Sequence, residues 1–377
     1  MTRKERLMAS IRGESVDRPP VSFYEITGYD ENPSDKDPFN IYADPSWKPV
    51  IELAKEKTDR IVRRSAAFKR DGDTGKTHTD IKRHMEGGSL YEVHTVKAGN
   101  RVLTMKTRRD PDVNTVWTIE HLLKDVEDLK AWLDLPDEST DFSNPDISGF
   151  IKAEKDLGDT GIVMVDSADP LCCVASLFSM EEYTVIALTE KSLFHKALEK
   201  TAKSIYAKTE AASKALPGRL WRICGPEYAT PPYLPPELFN EYVVKYVKPM
   251  VDLIQSRGGY ARVHCHGNVR QVLDHIVETG AVAIDPIEPP PQGDVELSYV
   301  RGKYGRHFTL FGNLEASDLE NLSPGEFEKK IIKALDEGTA GAGRGFVLMP
   351  SACPYGHRLS PNVIKNYEKM VELAEKY

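Results

Sequence analysis

Short apolar runs alternate with longer segments of helical periodicity along most of the chain. The apolar runs predict eight buried strands, at residues 21–26, 59–64, 161–166, 219–225, 260–266, 281–287, 308–312 and 345–349. The segments between them repeat their apolar positions every three to four residues, as in residues 192–216, 235–257 and 361–377. Eight buried strands that alternate with helices predict a (β/α)8 TIM barrel.

One segment, residues 68–118, breaks this alternation. Residues 90–96 and 101–107 alternate Thr, Val and Tyr with charged residues, and Ala98-Gly99-Asn100 separates them. This pattern is typical of a half-exposed β-hairpin. We therefore predict a single barrel domain over residues 1–377, with a β-hairpin insertion at 68–118 after the second strand.

Composition and charge exclude several classes of function. The net charge of -8 argues against nucleic acid or an anionic membrane as the main partner. No glycine-rich dinucleotide motif follows an early strand, so an open doubly wound sheet has little support. The first residues predict an amphipathic helix rather than a secretory signal, and no apolar run is long enough to span a bilayer. Five scattered cysteines fit a reducing compartment, so we expect a cytoplasmic protein.

The most informative stretch is Arg262-Val-His-Cys-His-Gly-Asn268 at the end of the fifth strand. Alternate side chains of a strand share a face, so His264 and His266 are expected to point the same way and Cys265 to point away. Two imidazoles on one face make a natural pair of zinc ligands. The alternative is a pair of structural histidines held by hydrogen bonds.

In a barrel of this kind, the chemistry lies at the carboxyl ends of the strands. Polar side chains follow most of the predicted strands, at Glu25, Asp166, Asp169, Glu227, His264, His266, Asp285, Glu288, Asn313 and Cys353. Each also has a structural interpretation. Asp166 can cap the next helix, Glu227 can be solvated in a turn, and Cys353 can simply be buried.

Four motifs resemble the uroporphyrinogen decarboxylase superfamily. They are Arg12-Gly-Glu-Ser-Val-Asp-Arg-Pro-Pro-Val21, the strand end at residues 264–268, Gly312-Asn313-Leu314, and Pro361-Asn362-Val363. The resemblance covers nearly the whole chain apart from the insertion, and it implies a (β/α)8 barrel. It also implies one of two activities, decarboxylation of a tetrapyrrole or zinc-dependent methyl transfer involving a corrinoid protein.

The decarboxylases of this superfamily bind their substrate with an arginine-rich loop near the amino terminus, where this chain has residues 24–29 instead. The chain is more similar to the zinc methyltransferases, whose motif is His-x-Cys-Gly followed by a distant Cys. His264 and Cys353 match that motif, and His266 stands in place of its middle Cys. The resemblance implies zinc on His264, His266 and Cys353, with Glu288 or alternatively Glu227 as an oxygen ligand, and cofactor contacts from Asn268 and Asn313. Whether Cys265 or His266 is the ligand stays open.

Replacing a thiolate with a neutral imidazole leaves more positive charge on zinc, which favours polarisation of a substrate oxygen. We therefore expect a zinc-dependent methyltransferase that moves a methyl group from a small methylated donor, an aromatic methyl ether, to a corrinoid (cobalamin) protein. Asp166, Glu227 or Tyr228 would protonate or hydrogen-bond the departing oxygen.

Three other functions stay open. The chain can be a methylcorrinoid:thiol methyltransferase of the coenzyme M type, or a metal-free decarboxylase or lyase that uses Asp166 and tyrosines at the rim. It can also be a non-enzymatic carrier of a tetrapyrrole or corrinoid. The expected partners are the methyl donor and the corrinoid protein, without nucleic acid or membrane. A homodimer is a further expectation, because members of this superfamily are often monomers or dimers.

Overall fold

The computed structural model describes residues 1–70, 79–137 and 140–377. Its strands are β1 Arg60–Arg64, β2 Ala67–Arg70, β3 Thr79–Glu86, β4 Ser89–Ala98, β5 Arg101–Arg109, β6 Val116–Glu120, β7 Thr140–Asp146, β8 Gly161–Ala168, β9 Leu220–Cys224, β10 Tyr260–His264, β11 Ala283–Asp285, β12 Thr309–Leu314 and β13 Phe346–Pro350. Its α-helices are α1 Arg3–Arg12, α2 Lys48–Lys57, α3 Val126–Leu133, α4 Ser148–Leu157, α5 Pro170–Ala175, α6 Met180–Thr189, α7 Lys191–Ala215, α8 Glu237–Phe239, α9 Lys245–Gln255, α10 Leu273–Glu278, α11 Leu297–Tyr304, α12 Ala316–Asn321, α13 Pro324–Thr339 and α14 Pro361–Lys376. Within these described ranges, every helix lacks the combined length and apolar character that crossing a membrane requires.

Seven parallel strands form one curled sheet in the order β1-β8-β9-β10-β11-β12-β13, as in a TIM-like barrel. Residues 20–22 bridge the two edges of this sheet. Ser22 N donates to Leu348 O at 3.0 Å, and Asp59 N donates to Val21 O at 2.7 Å. The predicted strand over residues 21–26 is wrong beyond this single bridge, because the positive φ of 58° at Tyr24 turns the chain out of the extended conformation.

The inward face of the barrel is apolar near the amino ends of the strands and charged near their carboxyl ends. The apolar part is a cluster of buried side chains from α1 and the strands, namely Leu7, Ile11, Ile61, Ile162, Met164, Leu220, Ala283, Phe311, Val347 and Met349. Alternate positions further along the same strands carry Arg63, Asp166, Arg222, Arg262 and Asp285. Because side chains alternate along a strand, these charged groups point into the barrel above the apolar cluster.

Helix α1 closes the amino end of the barrel. Its residues Leu7 and Ile11 are fully buried in the apolar cluster. Thr309 Oγ1 donates to Ser10 O at 3.0 Å, and Gly345 N donates to the same carbonyl at 3.2 Å. A Cβ at Gly345 would lie 2.5 Å from Ser10 O, so the close approach of α1 requires glycine there. The barrel is therefore sealed at this end.

Between β1 and β8 the chain leaves the barrel and forms antiparallel structure. Strands β4 and β5 pair from Leu90↔Arg109 to Ala98↔Arg101, across a turn at Gly99. They are the central strands of a four-stranded sheet in the order β3-β4-β5-β6, which is larger than the predicted hairpin. A separate ribbon pairs β2 with β7. Strand β6 extends to residue 120, and helix α3 begins at residue 126.

The β5–β6 loop joins this sheet to the loop that follows β13. Asn114 N donates to Tyr355 O at 2.7 Å, and His357 N donates to Asp112 O at 2.9 Å. Val113 and Gly356 form a bridge between these two bonds. The inserted sheet is thereby attached to the carboxyl-end rim of the barrel.

Candidate functional site

Two histidines lie side by side at the carboxyl end of β10. His264 is its last residue, and its Nδ1 is 2.7 Å from Oδ2 of Asp285. His266 follows two positions later, and its Nδ1 is 2.8 Å from Oε1 of Glu288. The two ring centroids are 4.6 Å apart and the rings are nearly perpendicular. Because a carboxylate accepts from the Nδ1–H of each ring, Nε2 is the ring nitrogen left to face a metal or a substrate.

Charge pairing fixes the protonation of the two carboxylates. Burial alone would raise the pKa of Asp285, but Arg262 and His264 outweigh it and hold this pKa at about 2. Burial also opposes ionisation of Glu288, yet the hydrogen bond from His266 lowers its pKa. The pKa of His266 is raised, because the Glu288 carboxylate outweighs the effect of burial. Both carboxylates are therefore ionised partners for the imidazoles at neutral pH.

A second group of side chains extends from His264 to the other side of the barrel. The Tyr24 hydroxyl lies 3.4 Å from Nε2 of His264 and accepts a hydrogen bond from Nη1 of Arg222 at 2.6 Å. Arg222 in turn forms a bidentate pair with Asp166, at 2.7 and 2.9 Å. Burial raises the pKa of Tyr24. The phenol therefore keeps its proton, and since its oxygen accepts from Arg222, it can donate toward His264 or a bound substrate.

Arg262 lies beneath these groups and is almost completely buried, with 1% of its surface exposed. Its Nε is 3.0 Å from Oδ1 of Asp285, an ion pair without hydrogen-bond geometry. Its guanidinium also lies over the Phe311 ring, 4.7 Å from the centroid. Asp285 therefore contacts two groups at once, the imidazole of His264 and the guanidinium of Arg262.

Cys353 lies at the other end of this group of residues. Its Sγ is 3.3 Å from Oε2 of Glu25, whose Oε1 pairs with Nη2 of Arg63 at 2.5 Å. Arg63 also approaches Asp166, at 3.9 Å. Burial and the neighbouring Glu25 carboxylate raise the pKa of the Cys353 thiol well above its ordinary value. The thiol is therefore protonated as it stands.

A model of the "Uroporphyrinogen decarboxylase (URO-D)" family matches residues 117–377, which is more than half of the chain. The chain belongs to the uroporphyrinogen decarboxylase family. The match includes the strands that carry Asp166, Arg222, Arg262, His264 and Asp285. This finding agrees with the resemblance in the sequence motifs, and URO-D-like membership indicates an enzyme.

Other comparisons add little to the family assignment. No curated protein sequence gives a significant match. A crystal structure of D-psicose 3-epimerase in the presence of D-fructose aligns with 10% identity and a TM-score of 0.33, covering 61% of this chain and 92% of the epimerase chain. A Bacteroides ovatus GH5 xyloglucanase in complex with a XXXG heptasaccharide aligns with 10% identity and a TM-score of 0.29, covering 83% of this chain and 97% of the xyloglucanase chain. Likenesses this weak carry no weight for the activity of this URO-D-family chain.

The predicted zinc ligands of this URO-D-family chain are only partly brought together. His264, His266 and Glu288 are neighbours, but both oxygens of Glu288 are engaged, by His266 and by Gly267 N at 2.7 Å. Cys353 contacts Glu25 instead. Over the described ranges of the chain, no three His, Cys, Asp or Glu side chains are gathered so that they could hold one metal ion. The histidine pair fits a metal in its chemistry, whereas the four predicted residues do not form a completed ligand set.

The predicted catalytic residues Glu227 and Tyr228 lie on the turn after β9. Glu227 keeps one carboxylate oxygen, Oε2, buried and without a hydrogen-bond partner among the described residues. The Tyr228 ring packs edge-on against Tyr183, and burial raises the pKa of Tyr228 to about 12. The helix-capping role considered for Asp166 belongs to Asp169, which accepts from Cys172 N at 2.6 Å.

The two asparagines predicted to contact a cofactor stand on different elements, one after β10 and one in β12. Asn268 is in the turn that follows the histidines. Asn313 lines a small cavity of about 100 Å³ together with Glu315 and the side of α13. Cofactor binding by either residue stays a prediction.

The sequence interpretation missed Tyr24 and three arginines, Arg63, Arg222 and Arg262. Arg222 and Arg262 stand in the middle of otherwise apolar strands, in register with each other across β9 and β10. A charged residue inside a buried strand needs a partner, and that signal was available in the sequence. The identity of each partner was not, because it depends on how neighbouring strands align.

Proposed function

We propose that this URO-D-family chain is a methyltransferase that moves a methyl group from a small methylated donor, favoured as an aromatic methyl ether, to a corrinoid protein. The observation that carries the proposal is the pair of Nδ1–carboxylate hydrogen bonds at His264 and His266. A histidine that binds a metal through one nitrogen commonly donates its other N–H to a carboxylate, which fixes the ring and raises its basicity. Two such rings side by side favour zinc at this strand end.

His264 and His266 would hold the zinc, and Cys353 and Glu227 are the remaining donor candidates. When bound, zinc would supply a Lewis acid for the oxygen of the donor. Glu227 supports this assignment, because a buried carboxylate oxygen without a partner is costly unless a ligand satisfies it.

The side chains of the protein itself have three tasks in this proposal. Tyr24 donates a hydrogen bond, and then its proton, to the oxygen that loses the methyl group. Arg222, which donates to the Tyr24 oxygen, stabilises the negative charge left on Tyr24. Asp166 holds Arg222 in place through its bidentate contact. The inserted sheet, attached to the rim through Asn114, limits access of water to the site. The methyl group passes as a cation equivalent to the reduced corrinoid of the partner.

A metal-free decarboxylase or lyase is the second candidate. The cluster of Tyr24, Arg222 and Asp166 favours it, since this cluster is complete without a metal and suits acid–base work. A thiol methyltransferase of the coenzyme M type would use the same histidines but a different acceptor.

Metal content and methyl transfer test the proposal together. We expect about one zinc per chain after purification without chelator, and consumption of aromatic methyl ethers with reduced cobalamin. His266→Ala should lower both the zinc content and the rate of methyl ether consumption by about tenfold or more. His275→Ala is the matched control, because His275 also pairs with a glutamate, at 3.2 Å, but on α10, where that glutamate is 51% exposed. No zinc uptake, or full activity of His266→Ala, would contradict the proposal, and chelator-resistant decarboxylation would favour the second candidate.

A further inference from the structure

A cavity of about 690 Å³ lies outside the barrel, between the inserted sheet and the helices α3, α5 and α7. We call it the outer cavity. Its lining includes Val96 from β4, Cys173 from α5 and residues of α7 from Lys200 to Lys208. Residues 200–208 span about 12 Å along the axis of α7, so the outer cavity is elongated. None of its described lining residues belongs to the candidate functional site.

Apolar side chains form most of the wall of the outer cavity. The large ones are Leu122, Trp132, Leu135, Phe142, Leu177 and Ile205. All of them except Ile205 are only partly buried, so the folded chain leaves part of their apolar surface uncovered. A molecule that covers this surface gains the free energy of removing it from water.

The charged groups in the wall are three lysines and one aspartate, namely Lys200, Lys203, Lys208 and Asp137. Asp137 serves two of the lysines. Its Oδ2 accepts a hydrogen bond from Nζ of Lys203 at 2.6 Å, and its Oδ1 lies 3.6 Å from Nζ of Lys200. The Trp132 ring also lies 5.6 Å from Nζ of Lys200. The described lining therefore carries more positive than negative charge.

Lys208 is the lysine of the lining that is left to bind an anion. It has no carboxylate partner in the described parts of the chain, since the lining carboxylate is engaged by the other two lysines. Its neighbours three and four positions away on α7 also lack acidic groups, being Ser204, Ile205, Ala211 and Ala212. Burial and Asp169 raise the pKa of the Cys173 thiol to about 11, while the positive charge of Lys208 opposes them. The Lys208 ammonium group is therefore close to an uncharged thiol.

We propose that the outer cavity binds an apolar molecule with a single carboxylate, of the fatty-acid class. Its hydrocarbon tail would lie along the wall that contains Leu122, Leu177 and Ile205, and its carboxylate would pair with Lys208. The volume of the cavity lies within the range of about 300–1,000 Å³ that is usual for small-molecule sites. The proposal does not rest on the proposed function, because none of these residues takes part in that reaction.

Decanoate, 1-decanol and decylamine test the proposal, because they share a linear hydrocarbon tail and differ in the charge of the head group. Binding to the full chain is measured by calorimetry, below the concentrations at which the probes form micelles. We expect decanoate to bind about tenfold or more tightly than decanol, and decylamine to bind most weakly. Equal affinities for decanoate and decanol, tightest binding of decylamine, or no binding of decanoate would overturn the proposal.

Cys173 reports the location of the bound probe without any substitution. Saturating decanoate should prevent most of the alkylation of Cys173, because the tail and head group would cover this part of the lining. Alkylation of Cys353, at the rim of the barrel, should be unchanged. Mass spectrometry of the modified peptides measures both. An unchanged rate at Cys173 with decanoate bound would place the probe elsewhere and overturn the proposal.

Two variants connect the binding to named residues of α7. Lys208→Gln should weaken decanoate by about tenfold or more and leave decanol unchanged, whereas Ala207→Phe should weaken both by filling the cavity. Lys214→Gln and Ala211→Phe are the matched controls, because these residues lie on the same helix outside the described lining, and neither should change an affinity. Unchanged decanoate binding in both Lys208→Gln and Ala207→Phe would overturn the assignment to the outer cavity.

Discussion

Asp285 accepts a hydrogen bond from Nδ1 of His264 at 2.7 Å while its other oxygen lies 3.0 Å from Nε of Arg262. One fully buried carboxylate thus orients an imidazole and neutralises a guanidinium. The position of His264 and the charge balance of the barrel interior consequently depend on the same side chain.

Replacing Asp285 with Asn should therefore damage both activity and stability. The amide cannot offset the charge of Arg262, and loss of one partner of a buried ion pair costs about 3–5 kcal/mol. Loss of the fixed His264 tautomer should lower kcat/KM by about 10–100-fold. Urea unfolding and steady-state kinetics measure the two effects. Asp274→Asn is the control, because Asp274 is an exposed carboxylate that pairs with Lys303. A stable and active Asp285→Asn protein would refute the role of Asp285 as partner of both His264 and Arg262.

Tyr24→Phe should separate chemistry from folding. The change removes the hydroxyl that accepts from Arg222 and approaches His264, but keeps the partly buried ring. We expect kcat to fall about 100-fold or more, with a loss of only about 1 kcal/mol in the free energy of unfolding. Tyr29→Phe, which removes an exposed hydroxyl bound to Asp156, should leave kcat unchanged. Equal kcat values for the two variants would exclude Tyr24 as the proton donor.

Glu315 should make stability depend on pH in the opposite direction to an ion-paired carboxylate. Burial, together with the charge of Glu288, raises the pKa of Glu315 from 4.5 to about 7. The folded chain therefore keeps a proton that the unfolded chain has lost, and stability falls as pH rises from 4.5 to 7. Relative to Glu315→Gln, the native protein should lose about 1–3 kcal/mol between pH 5 and 8.

Unfolding of both proteins across this pH range measures the difference. Glu320→Gln serves as the comparison, since burial raises the pKa of Glu320 without a neighbouring carboxylate among the causes. A pH-independent difference between the native protein and Glu315→Gln would mean that Glu315 is ionised throughout.

Ile11→Ala tests the closure of the barrel by α1. Ile11 is fully buried in the apolar cluster, so its truncation leaves a cavity and should cost about 2–4 kcal/mol. Ile151→Ala removes the same atoms from a side chain that is 45% exposed on α4, and should cost under about 1 kcal/mol. Chemical unfolding measures both. Similar losses of unfolding free energy in the two variants would mean that α1 packs only loosely against the barrel.

The order of strands and helices could be predicted because each strand is an apolar run of its own. Seven of the eight predicted strands appear in the parallel sheet within a few residues of their predicted limits. The long helix predicted over residues 235–257 is instead divided into α8, a π-helical turn at Asn240–Val244 and α9, which contains Pro249. The apolar periodicity predicted the helical conformation correctly. It could not show the change to π-helical hydrogen bonding, because that change leaves the apolar pattern intact.

The site was harder to predict, since its contacts join distant parts of the chain. That His264 and His266 neighbour each other follows from strand alternation. That Cys353 meets Glu25, 328 positions away, depends on how the loop after β13 folds back. The pairing of Arg222 with Asp166 depends on the register of β8 and β9.

Closure of the amino end by α1 also constrains the order of events in a reaction. With Leu7 and Ile11 packed into the amino end of the barrel, the carboxyl-end rim is the route that the described residues leave for a molecule to enter and leave. A protein acceptor bound over the rim would block this route. On the proposed function, the small donor must then bind before the protein acceptor does. The demethylated product can be released only after the acceptor has dissociated. The kinetics would be those of a compulsory-order, ternary-complex enzyme.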